Sequence, residues 1–273
     1  MDPAPDAYGG MSNMNDLTTG FITRLRSRDP AAWFELWETF GPVLRAQLAR
    51  WGRGRIGRET VQDLSQETLV ALASAIDRHD PNQGARFSTW LLAIARYTLG
   101  DEIDRRMAQK RGSGVKALSL DAPIQGSGDP SSGDLGSLSA SPAAAPDAAY
   151  EQEIFDAKVE AALRAVERDV GFEDFEIFRM RVLNGRTGKA VAEAMGTSEP
   201  TVSRRLARVR SRLREQLHEV FSKYSFTTEE WAELERNGIE TNPNRGDEAQ
   251  FEAAVADIYH RLAQRRTAQS PYA

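Results

Sequence analysis

The 273-residue chain has no cysteine and only three histidines. It therefore has no disulfide framework, no thiolate metal site and no cysteine nucleophile. His79, His218 and His260 stand too far apart in sequence to suggest a ligand set, so the His79-Asp80 pair does not make a metal-dependent phosphohydrolase. No glycine-rich phosphate loop follows a strand pattern, and no serine-histidine-aspartate arrangement has supporting context. No apolar run reaches the roughly 20 residues of a membrane-spanning helix. Residues 1–20 lack the basic start and apolar middle of a signal peptide, so a cytoplasmic, non-enzymatic protein without cofactor, metal or membrane insertion is expected. Alternation of the strand type with hairpin turns is also missing, whereas helical periodicity recurs throughout; the expected fold class is all-α.

Cations are in slight deficit over the whole chain, with a formal net charge of -5. That balance would argue against a phosphate-binding surface if charge were evenly spread. It is not. From Arg186 to Arg214 there are eight basic residues against two acidic ones, and Phe221 to Ala273 has six against nine. One DNA-facing segment followed by an acidic tail accounts for this segregation.

Between Gly112 and Ala149, 26 of 38 residues are Gly, Ser, Ala or Pro and none is aromatic, too little apolar surface to offset the entropy of ordering. This stretch is read as a flexible linker, 112–149, between helical blocks at 17–111 and 150–223, with an acidic helical extension over 224–273. The first block opens at Asp29-Pro30, an N-cap followed by proline at the first helical position. Trp33, Phe34, Leu36, Trp37, Phe40, Leu44 and Leu48 then mark a core helix. A second helix, near Glu59 to Ile76, has an inner stripe of Val61, Leu64, Thr68, Ala71, Leu72 and Ala75. On its other side Asp63, Gln66, Glu67 and Val70 recur at i, i+3, i+4 and i+7, a continuous stripe available to a partner or to solvent.

After an Asp80–Gly84 turn, a third helix combines aromatics with cations: Arg86, Phe87, Trp90, Arg96, Tyr97, Arg105, Arg106, Lys110 and Arg111. Single-stranded DNA is held by such combinations, bases stacking on rings and phosphates pairing with arginine. Trp90 fits core packing equally well.

The strongest local pattern runs from Thr187 to Leu206. A short helix stops at Gly196, which tolerates the positive φ of a sharp turn; Ser198 can cap a second helix that has Pro200 in its first turn. Ala192 permits close helix approach, and Val191, Met195, Val202 and Leu206 can fill the interface. This is helix-turn-helix geometry, and Arg204 to Arg214 contains six arginines and no acid. Ser203, Arg204 and Arg205 are the candidates for reading bases; Thr201, Arg208, Arg210 and Arg212 are those for phosphates.

In combination these residues resemble the bacterial RNA polymerase sigma factors of the extracytoplasmic-function class. Asp63-Leu64-Ser65-Gln66-Glu67-Thr68 is similar to the polymerase-binding helix of that family's second region. Phe87-Ser88-Thr89-Trp90-Leu91 through Ile94-Ala95-Arg96 resembles its promoter-melting segment, Asp101 to Arg106 the end of that domain, and Arg186 to Arg214 the fourth region. The likeness covers roughly residues 17–111 and 150–223. Tyr97 stands where the family often has Asn, and Pro200 where a small residue is more usual. The resemblance implies docking of Asp63, Gln66, Glu67 and Val70 on core RNA polymerase. It also implies minus-ten contact through Arg86, Phe87, Trp90, Arg96, Tyr97, Arg105 and Arg106, with a base flipped into a pocket. Minus-thirty-five contact falls to Thr201, Ser203, Arg204, Arg205, Arg208, Arg210 and Arg212. Partners implied are core polymerase and promoter DNA, with room for an anti-sigma factor. The competing reading is a helix-turn-helix repressor or activator acting without core polymerase.

The extension carries a capping box, Thr227 with Glu230, a hydrophobic staple, Phe226 with Trp231, and a later apolar stripe of Phe251, Val255, Ile258, Tyr259 and Leu262. Masking of DNA or polymerase contacts and a purely structural cap are the two roles it suggests.

Overall fold

The computed structural model describes residues 9–78, 86–112, 147–242 and 247–269, and every regular element among them is helical. His79, the Asp80–Gly84 turn and nearly all of the expected linker lie outside the described residues. Two compact units result, residues 20–151 and residues 1–19 with 152–273.

The first unit contains the last part of α1 (Gly9–Arg26), from residue 20, with α2 (Pro30–Trp51), α3 (Arg58–Ala75) and α4 (Phe87–Gly112). Helix α2 starts where the sequence indicates. Asp29 accepts the Ala31 amide at 2.9 Å and the Arg24 guanidinium at 2.7 Å, and Pro30 occupies the first turn. The reversal into it is closed by Arg28, one residue in the left-handed region at φ 61°. Helix α3 turns Val61, Leu64, Thr68, Leu72 and Ala75 inward, against α2 and α4. Full burial of each leucine contributes about 1.5–3 kcal/mol. The polar Thr68 is satisfied inside: it donates to the Leu64 carbonyl at 2.7 Å and its hydroxyl lies 2.9 Å from that of Thr98 on α4.

The second unit contains α5 (Ala148–Asp169) from residue 152, α6 (Phe172–Phe178), a π-turn at Arg179–Leu183, α7 (Gly188–Ala194), α8 (Glu199–Tyr224), α9 (Thr228–Arg236) and α10 (Glu248–Gln269). The capping box of α9 forms as its spacing indicates: Thr227 accepts the Glu230 amide at 3.3 Å and the Glu230 carboxylate accepts the Thr227 amide at 3.1 Å. Trp231 meets the His218 ring edge-on at 5.1 Å. Helix α10 buries Phe251, Val255, Ile258 and Leu262, with Tyr259 half-buried. It lies against the π-turn and is tied to α5 by Asp156, fully buried, which receives Arg261 at 2.8 Å and Arg265 at 2.9 Å. A buried pair, Lys158 with Glu230 at 3.5 Å, joins α5 to α9. The extension is thus built into the unit's own core.

Candidate nucleic-acid interface

Helices α7 and α8 meet at the turn the sequence indicates. Thr187 caps α7 by accepting the Ala190 amide at 3.2 Å. The chain then reverses at Gly196, φ 60°, with the Thr197 amide returning to the Ala192 carbonyl at 2.9 Å. Val191, Ala192 and Val202 pack with Ile177 and Met180, and Met195 lies against them. Leu206 is buried as well. Ser198 occupies the N-cap position of α8 but makes no capping hydrogen bond; its hydroxyl lies 3.0 Å from that of Thr201 instead. The Thr201 and Val202 amides both return to the Ser198 carbonyl at 3.0 Å and Pro200 has no amide hydrogen, so the cationic character of this end comes from its arginines and not from open backbone donors.

The six arginines of α8 separate by helical phase. Ser203 and Arg204 are exposed, and Arg204 touches only the Thr201 hydroxyl at 3.3 Å among the described residues. Arg205 meets Glu173 at 2.6 Å and Asp174 at 3.4 Å, and Arg208, whose side chain is 72% exposed, meets Asp174 at 2.9 Å. Arg212 pairs with Asp169 and with Glu215 at 2.8 Å. Surface pairs of this kind hold about 0–1 kcal/mol each, so a phosphate can displace them. Arg210 differs. It is held by Glu248 at 3.0 Å and Glu252 at 2.7 Å of α10, with 19% of its side chain exposed. The expected phosphate role of Arg210 gives way to a contact with the extension. Arg214, one turn on, is buried over the Phe251 ring at 4.3 Å and pairs with Glu248 at 3.1 Å. Helix α10 thus occupies the Arg210–Arg214 side of α8, while Ser203, Arg204 and Arg208 remain exposed.

In the other unit Asp63, Gln66, Glu67 and Val70 all lie on the exposed side of α3. Val70 is 68% exposed, and Asp63 and Glu67 form no ion pair among the described residues. The aromatic segment of α4 divides differently from the sequence expectation. Phe87 and Trp90 are core residues: Phe87 stacks on Phe40 at 4.9 Å and on Trp90 at 6.2 Å, and Trp90 is 3% exposed. Base stacking is closed to both in this conformation. Arg86 pairs with Glu151 at 3.2 Å. Arg96 is exposed and lies 4.7 Å above the ring of Trp51, an aromatic the sequence reading passed over, while Tyr97 is half-exposed. Arg105 and Arg106 follow on the same helix, both paired with Glu102.

No helix of the described residues is long and apolar enough to cross a membrane, and no group of acidic or histidine residues among them could hold a metal. No curated protein and no solved structure matches the chain. Two family models do: Sigma-70 region 2 over residues 36–109, which spans most of α2 through α4, and Sigma-70, region 4, over residues 173–213, which spans the helix-turn-helix. Both sigma-70 regions occur in this chain in the order the family has them, and together they support an extracytoplasmic-function sigma factor with a role in promoter recognition.

Proposed function

We propose that the chain joins core RNA polymerase through α3 and directs it to a promoter that it reads as duplex upstream and as a melted strand downstream. The observation that carries this is the presence of the two sigma-70 regions together with an exposed α3 stripe whose Asp63 and Glu67 form no ion pair among the described residues. Asp63, Gln66 and Glu67 supply charge and hydrogen-bond acceptors around Val70, the composition of a small docking patch with an apolar centre. Contact with the non-template strand falls to Arg96, Tyr97, Arg105 and Arg106. Phosphates pair with the guanidiniums and a base stacks beside Tyr97. Holding an unstacked strand lowers the free energy of the open state relative to the duplex, so strand capture drives local melting. Thr201, Ser203, Arg204 and Arg205 at the start of α8 enter the major groove of the upstream element, with Arg208 and Arg212 on its phosphates.

The test is binding of the labelled full chain to purified core polymerase. Charge reversal at Asp63 and Glu67 is expected to abolish binding while circular dichroism stays unchanged. Undiminished binding by the reversed variant would remove α3 from the docking role.

A further inference from the structure

The arginines of α8 are matched with acids, and the matching follows from the helices packed around it. Ile177 of α6 joins Val202 of α8 in one apolar cluster, which lays the first turn of α6 beside the recognition helix. Glu173 and Asp174 stand in that turn, and Asp169 ends α5 just before it. Glu173 meets Arg205 at 2.6 Å. Asp174 reaches Arg205 with one carboxylate oxygen at 3.4 Å and Arg208 with the other at 2.9 Å. Asp169 pairs with Arg212, which Glu215 also holds at 2.8 Å. Three carboxylates of α5 and α6 thus face three guanidiniums along about two turns of α8. By helical phase Arg210 and Arg214 lie on the opposite flank, where Glu248 and Glu252 of α10 take them. Of the six arginines only Arg204 has no carboxylate partner among the described residues.

This pairing changes what the side chains do to DNA. A free arginine that takes up a phosphate releases the counterion held there, and that release drives sequence-independent binding. An arginine drawn away from a carboxylate leaves an anion that takes up a cation in its place, so the exchange releases nothing net. Exposed pairs hold little energy, and the three arginines can still settle on phosphates once the helix is in its groove. They add almost nothing, however, to attraction for arbitrary duplex. The uncompensated guanidinium, Arg204, is the one placed to read a base. Suppressing non-specific binding while sparing a base reader raises the ratio of specific to non-specific affinity. Asp174 has the largest part in this: its side chain is 12% exposed, against 67% for Glu173, and two arginines share it.

We infer that Asp169, Glu173 and Asp174 form an internal counterion row that withholds three arginines of α8 from arbitrary duplex, with Asp174 as a specificity-determining residue. The inference rests on the reading of α8 as the helix that enters the upstream element.

The full chain is titrated with a labelled duplex of random sequence over a range of salt, with circular dichroism as the check on folding. Asp174→Asn frees Arg208, and Glu173→Gln added to it frees Arg205 as well. The slope of log affinity against log salt is expected to steepen by about 0.9 in the single variant and about 1.8 in the double, with tighter binding at low salt. Glu235→Gln, exposed on α9, removes the same charge without freeing an arginine of α8 and should leave the slope unchanged. Asp169→Asn with Glu215→Gln frees Arg212 through two carboxylates that are 48% and 59% exposed, so it tests the row even if Asp174→Asn does not fold. Its expected steepening is again about 0.9. In a second arm, chain and core polymerase select fragments from a promoter library; Asp174→Asn should reduce the enrichment of the selected sequences. Slopes equal to wild type in all the freed variants overturn the row, as does an equal steepening in Glu235→Gln. Reduced enrichment with an unchanged slope also overturns it, since Asp174 would then act through structure and not as a counterion. Should wild type with polymerase enrich no fragment, the promoter reading falls, and the slopes on random duplex decide the row by themselves.

Discussion

Replacing Lys158 by methionine tests whether the extension is part of the fold. Its ammonium, 1% exposed, stands 3.5 Å from Glu230 of α9, 3.3 Å from the Ser225 hydroxyl and 5.3 Å from the centre of the Phe221 ring. Methionine has a similar length and no charge, so Glu230 is left ionised in a buried site. Breaking a buried pair from one side costs about 3–5 kcal/mol. The lower end applies here, because Glu230 still accepts the Phe226 amide at 2.8 Å and the Thr227 amide at 3.1 Å. At about 1.4 kcal/mol per tenfold, a loss of about 3 kcal/mol raises the opening equilibrium of α9 by more than about a hundredfold. Amide hydrogen exchange of the full chain, resolved by peptide, reads this directly. Adding Glu230→Gln removes the orphaned charge while keeping a carbonyl oxygen for the two amides, and most of the protection should return. A change under about threefold in Lys158→Met, or a double variant worse than the single, would refute a structural lock between α5 and α9.

Arg204→Ala should weaken binding of the holoenzyme to the upstream element by about 1–3 kcal/mol, measured by filter binding, if this exposed side chain reads a base. Arg210→Ala should leave that affinity within about twofold and lower the melting temperature instead, since its partners are Glu248 and Glu252. Burial lowers the pKa of His218 from its ordinary 6.5. The unfolded chain therefore takes up the proton first as pH falls; stability is full above about pH 6.5 and declines below it, towards the depressed folded pKa. Urea midpoints of wild type and His218→Phe should converge in shape only above that value, and parallel pH curves would exclude the histidine as the source.

Helix starts were legible because caps are local: Asp29-Pro30 and the Thr227/Glu230 box act where their spacing places them, whereas Ser198 takes the N-cap position of α8 without the capping hydrogen bond, and the Thr187 cap of α7 went unread. What a periodic pattern leaves open is which of two faces turns inward. Phe87 and Trp90 sit among cations in sequence, and their inward register is settled by Phe40, a residue of another helix. The arginines of α8 are alike in composition, and phase alone separates Arg204 from Arg210. A usable signal was present for that separation: Arg210 and Arg214 stand four residues apart, as do Glu248 and Glu252, so two helices carry matched charges one turn apart. Trp51, at the end of α2, gave no such signal, because its neighbour Arg96 on α4 is brought to it only by tertiary packing. For the extension, the geometry favours the bracing role over masking, as α10 occupies the Arg210 side and leaves Ser203, Arg204 and Arg208 exposed.

Run-off transcription with purified core polymerase and a library of promoter fragments, in the presence and absence of the full chain, tests the central claim most directly. Defined transcripts are expected only when the chain is present, lost on charge reversal at Asp63 and Glu67, with start sites aligned behind two common upstream elements. Transcripts indifferent to the chain, together with tight binding of duplex DNA by the chain alone, would contradict it and identify a repressor or activator that works without the polymerase.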